Sequence, residues 1–334
     1  MFRRGLVFCL FLMVLVWRPP VTAGDPQRVF GPEYDFWDGD WSPDGRLLAL
    51  AGKPHYLPAE EARIWLWKAD GEKLTLLTNT PDYCDDWPRW SPDGRYLALV
   101  RRELGGQKRI CLWWKEMETG AGRRLTAGPD DRQPSWSPDG RAIGFRRGRG
   151  PREAVLAVWE RATGKVWTLP LPPGLLGEPF WGCDGFIYYT RYQVLERETR
   201  IGGVSHRVSV IGGGRLWRYD PRTGRHEPLT PEGYDRRMPV LSPDGRRLTF
   251  YGQRGREETV FSIPDPTKWA LYLQDLVTGR LQEVAITVAV TGGPPIWSRD
   301  GRTLCFYSLR DKFPALWAAT LGEEPSDGGQ PSSS

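Results

Sequence analysis

The hexapeptide Trp-Ser-Pro-Asp-Gly-Arg at residues 41–46 decides the fold, because it returns throughout the chain. It recurs twice without change, two further copies differ by one letter, and another copy is degraded. The later copies begin at Trp90, Trp136, Trp181, Leu241 and Trp297. Intervals of 45 to 60 residues between copies are typical of chains built from repeated supersecondary units, propeller blades among them.

Each copy predicts the turn of a β-hairpin. Proline fixes φ at the first central position, aspartate is accepted at the second, and glycine takes the left-handed conformation that follows. An apolar strand comes next, as at residues 47–50, and two more short strands joined by a Gly-containing turn complete the unit. Six such units predict an all-β fold, a six-bladed β-propeller of four-stranded blades. A Trp at the end of a first strand is expected to pack between neighbouring blades.

The composition agrees with this prediction. The 334 residues include 39 Gly, 30 Pro and 17 Trp, and so many helix breakers exclude a helical bundle or a coiled coil. Hydrophobic residues make up 40% of the chain and the formal net charge is +5, which together exclude a wholly disordered protein.

The repeated hexapeptides, with trailing Leu-Thr strands, resemble the TolB-type β-propeller repeat. The resemblance covers about residues 26 to 320. The TolB pattern places an α/β domain before the propeller, whereas here only residues 24–40 separate the N-terminal segment from the first repeat. The resemblance therefore concerns the propeller part, and it implies a fold that binds proteins or small ligands on one face.

Residues 1–23 have the pattern of a secretory signal peptide. Arg3 and Arg4 precede an uncharged run at 5–17, and small residues at 21–23 end the segment. The 13-residue run is shorter than the roughly 20 residues of a membrane span. We expect an exported protein, periplasmic or extracellular, that contacts a membrane only through this segment if it is not cleaved. An uncleaved signal anchor is the alternative.

Removal of this segment also removes three of the arginines and leaves a formal net charge of +2. This small excess gives no support for a nucleic-acid partner, and none is expected. The propeller is predicted to occupy residues 24–322, and the Gly-, Ser- and Pro-rich tail at 323–334 is expected to be disordered.

Four cysteines remain after the signal segment, Cys84, Cys111, Cys183 and Cys305. No pair has Cys-x-x-Cys spacing, which excludes the usual thiol-redox and zinc-ribbon patterns. By their positions in the repeat, Cys111 and Cys305 are expected to be buried within strands.

A search for catalytic patterns finds no His-Glu-x-x-His, Gly-x-Ser-x-Gly or phosphate-cradling glycine loop. The turn aspartates of the repeat are interpreted as turn residues rather than as an acidic site. We therefore predict no catalytic residues, no metal and no cofactor. The alternative is a secreted enzyme acting on carbohydrate, a lyase or a hydrolase, with its site at the propeller mouth. A cluster of His55, His206 and acids would favour that alternative, because some secreted propellers with similar repeats are polysaccharide lyases with a His-held metal.

Three segments between strands stand out. Residues 145–152 form the densest basic cluster, interpreted as a solvated loop or, alternatively, as a contact for phosphate or an acidic glycan. Long insertions at 192–214 and 253–267 account for the wide spacing of the later repeats. Loops of this length often carry function.

The ring is predicted to close through its N-terminus. The last repeat lacks a fourth strand before the tail, and residues 26–31 precede the first repeat at the distance expected of one. We expect residues 26–31 to pair with 315–319, which removes an exposed strand edge.

The binding face is predicted to lie opposite the Pro-Asp-Gly turns. The connections from fourth to first strands and from second to third strands open there together, and they gather aromatic and charged residues around the channel. The candidate binding residues are Tyr34, Asp35, Trp37, Asp85, Asp86, Asp131, Arg132, Tyr234, Asp235, Arg236 and Arg237. The alternative is that the aspartates only cap turns. The sequence thus favours a non-enzymatic binding scaffold for an envelope or extracellular protein or a polar small ligand.

Overall fold

The computed structural model describes residues 21–30, 32–68, 73–106, 108–148, 153–171, 175–201, 204–254, 269–286, 292–308 and 315–323. These residues form 25 strands and one short 3₁₀ helix, Ala59–Glu61. The strands build six antiparallel sheets arranged in a ring. The predicted six-bladed β-propeller of four-stranded blades is confirmed.

The strands follow the repeat along the chain. Two N-terminal strands come first, β1 (Val21–Ala23) and β2 (Gln27–Arg28). Blade 1 contains β3 (Tyr34–Trp41), β4 (Leu47–Pro54), β5 (Arg63–Lys68) and β6 (Leu74–Leu76). Blade 2 contains β7 (Tyr83–Trp90), β8 (Tyr96–Glu103), β9 (Ile110–Glu116) and β10 (Gly122–Arg124). Blade 3 contains β11 (Asp131–Trp136), β12 (Ala142–Arg147), β13 (Val155–Glu160) and β14 (Val166–Thr168).

The remaining three blades complete the ring. Blade 4 contains β15 (Leu175–Trp181), β16 (Ile187–Ile201), β17 (Val204–Tyr219) and β18 (His226–Pro228). Blade 5 contains β19 (Arg236–Leu241), β20 (Arg247–Gln253), β21 (Trp269–Asp275) and β22 (Leu281–Ile286). Blade 6 contains β23 (Ile296–Trp297), β24 (Thr303–Ser308) and β25 (Ala315–Glu323).

The first strand of each blade lies beside the central axis. Contacts between first strands run in order from β3 to β7, β11, β15 and β19, and β23 returns to contact β3. Polar groups at the beginnings of these strands therefore converge on the channel mouth opposite the Pro-Asp-Gly turns.

The repeated hexapeptide forms the same turn in successive blades. In blade 2, Ser91 Oγ donates to Asp93 Oδ1 at 2.6 Å, and the same oxygen accepts the amide of Arg95 at 3.1 Å. Gly94 has φ of 70°, in the left-handed region where a side chain is strained. These bonds confirm the aspartates as turn residues, and they lower the pKa of Asp93 although partial burial opposes them.

The motif tryptophans join neighbouring blades. Trp136 of blade 3 packs in one cluster with Ala98 and Leu112 of blade 2 and with Phe145 of its own blade. Its indole Nε1 donates to the carbonyl of Arg89 at 3.0 Å. The expectation that these rings pack between blades is therefore confirmed for this copy.

The N-terminal segment closes the ring as predicted. Gln27 and Arg28 pair with Ala318 and Trp317 of β25, and the amide of Val29 donates to Leu316 at 2.9 Å. Residue 31 lies outside the described residues. The additional strand β1 was not predicted; it pairs with the end of β25. Glu323 therefore belongs to a strand, whereas the sequence predicted that the disordered tail begins there. The rest of the tail, residues 324–334, also lies outside the described residues.

The insertion at 192–214 is a β-hairpin rather than a loop. Strands β16 and β17 stay paired from Ile187 and Tyr219 to Ile201 and Val204. Nine of these pairs lie beyond the register of β15, so the ribbon extends about 30 Å at roughly 3.3 Å per residue. Of the blade 5 insertion, only residues 253–254 fall within the described residues.

Two further predictions can be compared with the described residues. Cys111 and Cys305 are buried within strands, as expected, and Cys84 is buried as well, whereas Cys183 is exposed; all four are free thiols. Among the described residues, no helix has the length and apolar character needed to cross a membrane.

Candidate functional site

A strained backbone conformation recurs at the same repeat position around the channel. In blades 2 to 5, the first strand carries a bulge at which a residue other than Gly has a positive φ between 48° and 57°. These residues are Trp87, Gln133, Glu178 and Met238. Each precedes a proline and stands three residues before the repeat motif. The left-handed conformation costs about 1–2 kcal/mol per residue, so the fold maintains this strain four times around the axis.

The strained residues mark a constriction. With Pro134, Pro179 and Pro239, they line a cavity of only about 20 Å³, near the size needed for one water. On the side of the Pro-Asp-Gly turns, the channel widens to a cavity of about 300 Å³. Its lining includes Trp90, Trp136, Trp181 and Trp297, together with the charged residues Asp40, Arg89 and Arg299. We call this tryptophan-rich end of the axis the aromatic cup and the opposite end the charged mouth; Arg89 lies between them and lines the cup as well.

The charged mouth is formed by side chains that act on one another electrostatically from blade 1 to blade 5. We call this set the charged belt. Its members are Asp38, Asp86, Arg89, Arg132, Arg146, Glu178, Tyr192, Asp235 and Arg237.

The belt begins with a buried ion pair between blades 1 and 2. Both Nη atoms of Arg89 donate to the carboxylate of Asp38, at 3.0 and 3.1 Å. Burial raises the pKa of Asp38 to about 7, although Arg89 opposes the shift. Asp86 accepts Trp37 Nε1 at 3.0 Å and the amide of Trp87 at 2.8 Å, and burial raises its pKa too.

The belt ends in a network between blades 4 and 5. Tyr192 donates its hydroxyl to Glu178, 2.6 Å from Oε2, and burial raises the pKa of Glu178 despite this bond. Arg237 Nε donates to Asp235 Oδ1 at 2.8 Å, and its guanidinium lies over the rings of Tyr192 and Trp269, 5.2 and 5.0 Å from their centres. Asp235 also accepts the amide of Gly214 at 3.0 Å, which anchors β17.

Two of the predicted binding aspartates are held inside their own blades. Asp85 is fully buried and accepts Arg101 Nε at 2.7 Å and Nη2 at 2.9 Å. Asp131 makes the same pair with Arg147, at 2.7 and 2.9 Å, and also accepts the amide of Gly128. Both acids face their arginines directly across the first and second strands. These carboxylates therefore stabilise the sheets.

Other predicted residues lie outside the charged belt, at what we call the rim of the mouth. Asp35 accepts Lys53 Nζ at 2.7 Å and bonds His55 Nδ1 at 2.8 Å; burial opposes these bonds, but the net effect lowers its pKa. The ring of Tyr34 stacks on Phe36 with centres 5.4 Å apart.

On blade 5, Arg236 lies over the rings of Tyr234 and Phe250, 5.0 and 5.3 Å from their centres. Together with the rim of blade 1, this places aromatic side chains at the edge of the channel mouth.

The structure therefore divides the predicted set. It brings Trp37, Asp86, Arg132, Asp235 and Arg237 to the belt or into contact with it. It holds Asp85 and Asp131 in ion pairs and places Tyr34, Asp35, Tyr234 and Arg236 at the rim.

Five belt residues were missed, namely Asp38, Arg89, Arg146, Glu178 and Tyr192. These residues lie in strands, whereas the candidates predicted from the sequence were assigned to connections between strands. A proline stands two residues before the motif in blades 2 to 6, and in blades 2 to 5 it was the available signal for the bulge that points to this region.

Among the described residues, no group of three or more His, Cys, Asp or Glu side chains is arranged to hold a metal. The pair formed by His55 and Asp35 is described above, whereas the side chain of His206 lies outside the described set. The predicted neighbourhood of His55 and His206 is therefore untested.

Solved structures share this fold. TolB from Acinetobacter baumannii superposes with a TM-score of 0.61 at 19% identity, over 88% of this chain and 65% of that one. Putative TolB from Agrobacterium tumefaciens gives 0.61 at 19%, over 89% and 93%. An oligogalacturonate lyase in complex with manganese gives 0.57 at 15%, over 92% and 97%.

At these identities the likeness concerns the fold, and the chain has the TolB-like β-propeller fold that its repeats predicted. The match spans just under two thirds of the Acinetobacter protein. No protein-family model and no curated protein matches the sequence.

Proposed function

We propose that this protein is an exported, non-enzymatic binding scaffold that holds a polar ligand or a loop of an envelope or extracellular protein at the charged mouth of its channel. The observation that carries the proposal is the charged belt, to which five blades contribute side chains. Converging polar groups of both signs suit recognition of a polar surface.

The strained ring, which shares Glu178 with the belt, supports the same proposal. Four left-handed residues at one repeat position persist only where the surrounding structure compensates their cost, and such strain concentrates at functional sites. The ring holds the backbone beside the mouth in one conformation. Binding a ligand there would therefore cost little free energy for ordering the protein.

Binding is favoured over catalysis by the state of the carboxyl groups. A general base must reach a substrate proton with a free oxygen. Asp38 is held by two nitrogens of Arg89, and Glu178 is held by Tyr192. These bonds suit a preorganised binding surface better than proton transfer.

The alternative is a secreted enzyme acting on carbohydrate. It is favoured by the pair of His55 and Asp35 on the face of the charged mouth. Depolymerisation of an acidic polysaccharide that depends on an added divalent cation, and that is lost in His55→Ala, would support it and contradict the non-enzymatic proposal.

Export rests on the N-terminal pattern of residues 1–23. Cleavage after Ala23 would remove β1 but leave β2 to close blade 6. N-terminal sequencing of the protein recovered from the periplasm or medium should begin at Gly24.

The binding experiment compares two double variants by quantitative capture from envelope extract. Arg132→Ala with Arg236→Ala removes two arginines from the charged mouth and leaves the ion-paired Asp131 and Asp235 in place. Arg95→Ala with Arg141→Ala removes two exposed arginines from the Pro-Asp-Gly turns and is the matched control. We expect the first variant to lose a binder about tenfold and the control to keep it.

The opposite result would contradict the proposed face. A binder lost from the turn variant and kept by the mouth variant would assign binding to the aromatic cup at the other end of the channel.

A further inference from the structure

One belt residue differs in kind from its counterparts in the other blades. Arg146 occupies the second strand beside the bulge of the first. The equivalent residues of the other blades are uncharged and buried, at most 9% exposed. They are Ala51, Val100, Thr190, Tyr251 and Tyr307. Blade 3 therefore places a charge where five blades place a buried neutral side chain.

Arg146 also faces a second arginine. It stands in register with Arg132 on the neighbouring strand, and like charges directly opposite each other destabilise a sheet. Arg132 bonds Asp130, whereas in the described part of the chain no side-chain hydrogen bond or ion pair joins the guanidinium of Arg146 to a neighbour. Arg146 is half-buried, and burial lowers the pKa of its guanidinium.

Among the described residues, a single ion pair, from Arg132 to Asp130, reaches the two cations. The charged and titratable groups that act on Arg146 are Asp130, Arg132, Glu178 and Tyr192. Tyr192 directs its hydroxyl to Glu178, and burial raises the pKa of that carboxyl, which disfavours its charge. Asp130 is therefore the one carboxylate within ion-pair distance of either guanidinium among the described residues, while Glu178 acts on Arg146 and Asp86 acts on Arg132 from farther away.

We infer that Arg132 and Arg146 form an oxyanion site, which binds a carboxylate or phosphate group of the ligand at the charged mouth. This inference rests on the proposed function and names the chemistry of the ligand. The planar guanidinium donates two parallel hydrogen bonds to such groups, and a half-buried pair discriminates against uncharged ligands. A bound oxyanion would offset the repulsion between the guanidinium groups of Arg132 and Arg146.

The test uses inorganic phosphate and acetate as probes. The melting temperature of the full-length protein is measured at pH 7 in about 20 mM of either anion, against chloride at equal ionic strength. Arg146→Val installs the residue type of blade 2. Arg141→Gln is the matched control, because it removes an arginine whose side chain is 87% exposed in the Pro-Asp-Gly turn of the same blade.

We expect at least one anion to raise the melting temperature of the wild type and of Arg141→Gln by about 2 °C or more. Arg146→Val should bind that anion about tenfold more weakly, and most of the rise should disappear. Without anion, Arg146→Val should melt no lower than the wild type, because it removes an unpaired, half-buried charge. A response to phosphate alone assigns the site to phosphate groups, and a response to acetate assigns it to carboxylates.

Equal stabilisation of wild type and Arg146→Val would overturn the inference, as would the absence of any response in the wild type. A clear loss of melting temperature in anion-free Arg146→Val would also overturn it, since Arg146 would then stabilise the fold. The capture experiment decides the proposed function separately. Two results together would support the oxyanion site but contradict the proposed binding face. Arg146→Val would lose the anion response, and the binder would be lost only from the variant in the Pro-Asp-Gly turns.

Discussion

Arg89 of blade 2 crosses the blade boundary and holds the buried carboxylate of Asp38 in blade 1 through two hydrogen bonds, at 3.0 and 3.1 Å. Asp38 is 1% exposed, so the pair lies in the wall of the channel rather than in solvent. Breaking one side of such a pair strands a buried charge, which costs more than the intact pair contributes. The contact therefore makes the geometry of the channel depend on the joint between two blades.

The Asp38 carboxyl should give the protein a distinctive pH dependence. Its pKa is raised by burial from 3.8 to about 7, so the folded state keeps a proton that the unfolded chain releases at lower pH. The free energy of unfolding therefore falls as pH rises through this window and is constant above it. Between about pH 5 and pH 8, the wild type should lose about 2–3 kcal/mol relative to Asp38→Asn in urea titrations.

The turn aspartate Asp44 supplies the control for this measurement. Its pKa is lowered by the hydrogen bond from Ser42, so its contribution changes only in acid, below the window. Asp44→Asn should differ from the wild type by a constant amount between pH 5 and pH 8. A difference for Asp38→Asn that is equally flat would show that Asp38 is already ionised at pH 5.

The buried pair of Asp131 and Arg147 should behave as a structural unit of blade 3. Asp131→Ala leaves the guanidinium without its partner and should cost about 3–5 kcal/mol. In a double-mutant cycle with Arg147→Ala, the combined loss should be smaller than the sum by about 1–3 kcal/mol. Asp131→Ala combined with the remote Arg141→Gln should be additive, and additivity in both combinations would mean that the pair does not couple.

Closure of the ring can be tested at Phe30. Its ring meets Phe36 and Trp67 of blade 1 edge to face, with centres 4.9 and 5.7 Å apart, beside the strand that completes blade 6. Phe30→Ala should cost about 2–4 kcal/mol of unfolding free energy. The control is Tyr56→Ala, which removes an aromatic ring that is 83% exposed and should cost little. Equal, small losses in both variants would contradict a stabilising role for the closing segment.

The fold could be predicted from the sequence because its determinants are local and repeated. The turn from Ser91 to Gly94 is held by hydrogen bonds between residues no more than five positions apart in the sequence. Each copy of the motif therefore predicts the same turn independently. The closing strand was also predictable, because a four-stranded unit with one strand missing leaves an edge that the N-terminus can cover. The second strand at 21–23 was not, since the sequence assigns those residues to a signal segment.

The candidate site could be predicted only in outline. Connections were expected to carry the charges, but Asp85 and Asp131 stand within strands opposite arginines that are 16 residues away. Pairing across strands depends on register, so the partner of each aspartate lies in the second strand, outside the connections on which the prediction rested. From the sequence, Arg146 is only one member of a basic cluster. That its guanidinium has no ion-pair partner depends on which side chains surround it in the folded protein.

The central claim is that the binding face is the charged mouth, and photo-cross-linking from the two faces of one blade tests it most directly. A cross-linking amino acid is placed at Asp82, exposed beside the mouth, or at Arg95, exposed in the Pro-Asp-Gly turn of the same blade. The binder captured from envelope extract should be labelled from position 82 and not from position 95, and phosphate or acetate, whichever stabilises the protein, should reduce the labelling. Labelling from position 95 alone would contradict the claim.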